Sequence, residues 1–231
     1  MVFGIFGRKR EEIGKLERHP EEREPKIRIL ILEDQFGEQA KQGLNLPCFE
    51  VRVVRTLEEL RNIDPEEFQP DIAILDIEVP EREGEKPSVS SESENIIRKK
   101  YGYVPLFYYT SRKEGESGVS DVPLLAIEWK RHYLEGGLWG KEKARKLKEI
   151  YPEIENIWDK SKPENWLTVL LLLPIIEPTK LSNANKLQLF RFLPEKIKNK
   201  MVGMLEIMYP SMAAAVKREW ESELEGGKKE G

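Results

Sequence analysis

The apolar run Ile27-Arg28-Ile29-Leu30-Ile31-Leu32 is rich in β-branched residues and stops abruptly at Glu33-Asp34, the pattern of a buried parallel strand. Residues 36–44 can form a helix, and Phe49 to Val54 form a second strand. Thr56 can cap a short helix carrying Leu57, Leu60 and Ile63 on one side, and Pro70 stops any helix before the next element. Asp71-Ile72-Ala73-Ile74-Leu75 predicts a third strand, which again ends at a carboxylate, Asp76. A charged, Ser-rich stretch from Glu81 to Glu94 leads into helical Asn95 to Lys100. Val104 to Tyr109 reads as the fourth strand, ending at Thr110-Ser111, and Val122 to Trp129 as the fifth, ending at Lys130. Residues 139–150 can supply a closing amphipathic helix. Such alternation predicts a doubly wound α/β fold, a five-stranded parallel sheet with helices on both faces. Ligands in these sheets gather at the carboxyl ends of the strands, and Glu33, Asp34, Asp76, Thr110 and Lys130 all fall on that rim.

Past residue 151 the strand pattern ceases and the periodicity is helical. The longest apolar run, Trp166 to Ile176, is interrupted by Pro174 and is far shorter than the roughly 20 residues of a membrane-spanning helix, so it predicts a buried core helix and no membrane span. Pro194 can open a helix with Ile197, Met201, Met204, Leu205 and Met208 on one face, and Pro210 ends it. Ser211 can cap a further helix with Met212, Val216 and Trp220 every four residues, stopped by Gly226-Gly227. The predicted organisation is a charged arm over 1–25, an α/β domain over 26–150 and a smaller all-helical domain over 151–231. A Met-rich face of this kind suits packing against its own core or a partner helix, and a two-fold homodimer through the C-terminal helices is the expected assembly.

Composition narrows the classes. With 35% charged and 39% hydrophobic residues among 231, the chain has enough apolar material to fold under a heavily charged surface. A net charge of −4 carries no global footprint for DNA or RNA. Cys48 is the only cysteine, which excludes an internal disulfide and a multi-thiolate metal site, and fits a reducing cytoplasm. At the start of the chain the apolar residues precede the basic ones, the reverse of a secretory signal.

The segment Ile74-Leu75-Asp76-Ile77-Glu78-Val79-Pro80, the strand ending in Glu33-Asp34, and Thr110-Ser111 after Pro105-Leu106-Phe107-Tyr108-Tyr109 together resemble the receiver domain of two-component response regulators. The resemblance covers about half the chain. It implies that Asp76 is the phospho-acceptor, with Thr110 donating its hydroxyl to the new phosphoryl group and Lys130 offering a point charge. It further implies Mg2+ held by Asp34, Asp76 and the backbone carbonyl of Glu78, with Glu33 in support, and a histidine kinase or other phosphodonor as partner. The physical need is plain: a carboxylate nucleophile and an anionic donor repel each other until a hard cation cancels charge at the reacting oxygens.

Two positions depart from the family pattern. Arg131, not proline, follows Lys130, and Ile127 stands where an aromatic side chain is common. One alternative is therefore a pseudo-receiver that is never phosphorylated and serves as a docking or oligomerisation module. Another is a Toprim-like metal-dependent phosphotransfer enzyme, since Glu33 with Asp76-x-Glu78 resembles that acidic arrangement; it would call for an early glycine and a basic groove, whereas Asp34-Gln35 follow the glutamate.

Overall fold

A computed structural model describes residues 26–89, 91–110, 124–125, 135, 137, 140–176, 193–211, 213–215 and 217–218. The arm over 1–25, most of the fifth-strand segment and Lys130 lie outside these residues.

Strand β1 (Ile27–Leu32) is followed by helix α1 (Gly37–Gly43), β2 (Phe49–Val54), α2 (Leu57–Asn62) and β3 (Ile72–Leu75). A short antiparallel pair, β4 (Glu78–Val79) and β5 (Ser88–Val89), precedes α3 (Glu92–Tyr101) and β6 (Leu106–Tyr109). Strands β2, β1, β3 and β6 form a parallel sheet in that order, compatible with a flavodoxin-like core. At its edge Tyr108 and Tyr109 align in parallel with Leu124 and Leu125, a two-residue strand β7. The sheet order places the ends of β1 and β3 side by side, with Leu32 paired to Leu75, and β6 next to β3.

Local signals account for several boundaries. The Thr56 hydroxyl accepts the Glu59 N–H at 3.0 Å, the expected N-cap of α2. The end of α2 is closed from outside: the Lys100 ammonium, on α3, donates to the Ile63 carbonyl at 2.6 Å and also to that of Arg61, satisfying acceptors that a helix terminus leaves open. Helix α3 begins at Glu92, three residues earlier than the apolar pattern suggests, because its first turn, Glu92 to Asn95, is polar although Ser93 is buried.

Alternate residues of each strand serve opposite faces. Leu30, Leu32, Ala73, Leu75, Leu106 and Tyr108 pack with Leu57, Leu60, Ile63 and Ile97 beneath α2 and α3. On the other face Ile27, Ile29, Ile31, Ile72, Ile74, Phe107 and Tyr109 pack with α1 and with the chain beyond residue 140. That chain comprises α4 (Lys141–Ile150), a 3-10 turn (Pro152–Asn156), α5 (Pro163–Ile176) and α6 (Glu195–Met208). Trp166, Val169, Leu170, Met201, Met204, Leu205 and Met208 are all buried in one cluster with the sheet. The Met-rich stripe expected on α6 thus lies inside the core of this chain, and its seam is not an open surface. Helices α1 and α5 touch at backbone distance, since a Cβ added to Gly43 would stand 1.8 Å from the Pro163 carbonyl oxygen.

Candidate functional site

Glu33 follows β1, Asp76 follows β3 and Thr110 follows β6, so the parallel register delivers all three to one rim. Glu33 and Thr110 are each 1% exposed. Carboxylate oxygens of Glu33, Asp34 and Asp76 lie within 4.8 Å of one another, the candidate metal-holding group among the described residues. Glu78 lines a cleft of about 600 Å³ together with Glu33, Asp76, Trp158, Asp159 and Lys162.

Each of the two central carboxylates divides its oxygens between structure and chemistry. Glu33 Oε1 accepts the N–H groups of Gln35 and Phe36 at 3.1 and 3.2 Å, holding the turn into α1. Asp76 Oδ1 accepts those of Ile77 and Glu78 at 2.7 and 3.3 Å, holding the turn into β4. Their second oxygens both meet one ammonium, that of Lys160, at 2.6 Å from Glu33 Oε2 and in direct contact with Asp76 Oδ2. Lys160 is 6% exposed, so the pair it makes with two carboxylates is buried. Burial raises the Glu33 carboxyl above its ordinary range while Lys160 opposes the rise. Asp34 is raised by burial first and by the Asp76 charge second.

Lys160 was not among the expected site residues. Lys130, expected at the end of the fifth strand, lies outside the described residues, and the ammonium beside Asp76 comes from the connection between the 3-10 turn and α5, a distance of 84 residues along the chain. That connection is fastened at nearly every carbonyl. Asn165 Nδ2 donates to the carbonyls of Asn156 and Asp159 at 2.7 and 2.8 Å, and Trp166 Nε1 donates to that of Lys160 itself at 2.9 Å. The Tyr109 hydroxyl donates to the Ile157 carbonyl, its ring meets Trp166 edge to face at 4.9 Å, and the Lys160 ammonium sits 5.5 Å from the ring centre. In sequence, Trp158-Asp159-Lys160-Ser161-Lys162-Pro163 reads as a solvated turn, and no local signal separates this lysine from its neighbours.

No family model matches the chain, and no curated protein matches it. Among solved structures it is similar, at 21% identity and a TM-score of 0.35 over 56% of this chain and 92% of the other, to a fusion containing a trimeric coiled-coil segment of yeast Spc42. A likeness at that level carries no argument. Among the described residues no helix is long and apolar enough to cross a membrane.

Proposed function

We propose that the chain is a receiver-like signalling protein that accepts a phosphoryl group on Asp76 and passes the change to its C-terminal helices. In this reading the parallel sheet has a fifth strand running on from Leu124-Leu125, and the helices beyond residue 150 form the output domain. The observation that carries it is the buried Lys160 ammonium in contact with Asp76 and Glu33 where β1 and β3 end, with Thr110 closing the next strand. A nucleophilic carboxylate, an acidic cluster and a fixed cation are the groups that phosphoryl transfer to an aspartate requires.

The donor set suits a hard divalent cation. The carboxylates of Glu33, Asp34 and Asp76 with one ammonium leave a formal charge of −2, which one Mg2+ balances, and its preference for oxygen ligands and retained waters fits so few protein donors. Asp34 and Asp76 would hold it with Glu33 and Glu78 in support, and it would supply charge neutralisation at the phosphoryl oxygens. In the transfer, Asp76 Oδ2 forms a bond to phosphorus as the bond from phosphorus to the donor's leaving group breaks. The leaving group keeps that electron pair; acetyl phosphate releases acetate and no proton moves. A histidine kinase is the protein donor this reading calls for, and cytoplasmic location follows from that donor.

The same buried ion pair also favours a second reading, in which Lys160 permanently neutralises the pocket and the module only docks or oligomerises. Intact-mass analysis after incubation with Mg2+ and acetyl phosphate separates them. One added phosphoryl group, absent from Asp76→Asn, is the expected result. An unmodified wild type would overturn phosphorylation in favour of the docking module.

A further inference from the structure

Residues 156–160 reach the rim as a segment fastened through its own backbone carbonyls. The other site groups hang from strand ends, whereas Lys160 is carried by a short strap whose carbonyls are bound by side chains of the first turn of α5 and by Tyr109. Asn165 and Trp166 are each 1% exposed, so the donor end of each bond is shielded from water, and the bond from Trp166 is buried throughout. The strap has little freedom to move without α5, and α5 itself rests on α1 at Gly43.

We infer that Lys160 is the cation of the phosphoryl site and that Asn165 and Trp166 are its positioning residues, so that the first turn of α5 reads the state of Asp76. This rests on the phosphoryl-acceptor reading and adds its route of output. Converting the Asp76 carboxylate into an acyl phosphate turns the oxygen that Lys160 now holds into an uncharged bridging oxygen and attaches a bulkier, more charged group to it. Lys160 must then move to the phosphoryl oxygens, and the carbonyl held by Trp166 moves with it. A rigid strap turns a rearrangement at the pocket into a displacement of a helix, as a packed element with two discrete positions requires.

The test follows phosphate uptake on Asp76 in the full chain with Mg2+ and acetyl phosphate, by mass, in wild type, Lys160→Met, Lys160→Arg, Trp166→Phe and the double variant Lys160→Met with Trp166→Phe. Loss of the ammonium in Lys160→Met is expected to slow uptake about a hundredfold. Lys160→Arg keeps the charge and recovers part of the rate. Trp166→Phe keeps a ring against Tyr109 but loses the donor to the Lys160 carbonyl, and is expected to slow uptake about tenfold. Because Trp166 acts through Lys160, the two losses should not multiply: removing Lys160 in the Trp166→Phe background costs about tenfold more and not a hundredfold. Hydrogen exchange over residues 156–170 should change on phosphorylation in wild type and stay unchanged in Trp166→Phe. Should Lys160→Met fail to fold, the Lys160→Arg and Trp166→Phe rates and the exchange pattern decide. Wild type that takes up phosphate with no change in exchange over the strap, or variants that label at the wild-type rate, would overturn this inference alone. Wild type that takes up no phosphate would overturn the acceptor reading, and this inference with it.

Discussion

Replacing Lys160 by methionine keeps the stem and removes the charge, leaving Glu33 at 1% exposure and Asp76 at 11% side-chain exposure facing each other with no cation between them. Breaking a buried ion pair from one side typically costs about 3–5 kcal/mol, because the remaining charge stays desolvated. Two carboxylates share that loss here, and one can escape it by taking up a proton. Glu33 already has its carboxyl raised by burial, and Lys160 is among the influences that hold it down, so the variant should raise it further. A raised carboxyl favours folding below its unfolded value of 4.5, and that contribution is lost as pH rises through the folded value. The penalty of Lys160→Met is therefore expected to be about 3–5 kcal/mol near neutrality and to shrink as pH falls toward 4.5. Urea unfolding at both ends of that range, followed by circular dichroism, measures it. Adding Glu33→Gln should recover part of the loss, because the amide needs no cation. A Lys160→Met protein within about 1 kcal/mol of wild type near neutrality, or a loss independent of pH, would show that the buried ion pair is not formed as described.

Four further outcomes are expected. Gly43→Ala should destabilise despite alanine's better helix propensity, worth about 1 kcal/mol, because the added Cβ would stand 1.8 Å from the Pro163 carbonyl oxygen; overpacking of this kind costs about 1–3 kcal/mol, and a rise in thermal midpoint would refute the close approach of α1 and α5. Asn165→Ala removes two part-buried hydrogen bonds, to the carbonyls of Asn156 and Asp159, each of which keeps a backbone donor, and at about 0.5–1.5 kcal/mol net per bond should cost about 1–3 kcal/mol in denaturant unfolding; an unchanged midpoint would mean that water replaces the amide. Burial pushes the Tyr108 hydroxyl up to about 12 and raises Tyr109 and Tyr151 as well, so stability present below pH 10 is lost as pH rises toward 12. The phenolate absorbance of these three buried tyrosines should then appear together with unfolding, and ionisation of all tyrosines ahead of unfolding would contradict the burial. A chain ending at residue 150 should fail to give cooperative unfolding, since Trp166, Leu170, Met201 and Met204 cover the sheet face that carries Ile29, Ile31 and Phe107.

The strand and helix order was legible because each element carries its own period. Ile27 to Leu32 and Ile72 to Leu75 are short β-branched runs bounded by polar residues, and burial on both faces of a parallel strand demands such a run. The carboxylates closing them were legible for the same reason, since a strand end is a fixed place and the parallel order sends every end to one rim. Thr56 announced its cap by standing just before the stripe of Leu57, Leu60 and Ile63. These are properties of residues close along the chain, where pattern alone determines the outcome.

Lys160 belongs to the other class. Its role depends on the helices beyond residue 150 lying on the same sheet face as α1, which Gly43 permits by having no side chain in the way of the Pro163 backbone at the crossing. It also depends on Asn165 and Trp166 turning their polar atoms onto the strap instead of toward solvent. A lysine in a polar turn is by default a solvated charge. Only desolvation beside two carboxylates from strands more than eighty residues away makes it part of a site, and that juxtaposition is decided by the packing of the whole chain, because electrostatic attraction strong enough to matter arises only where tertiary structure has excluded water.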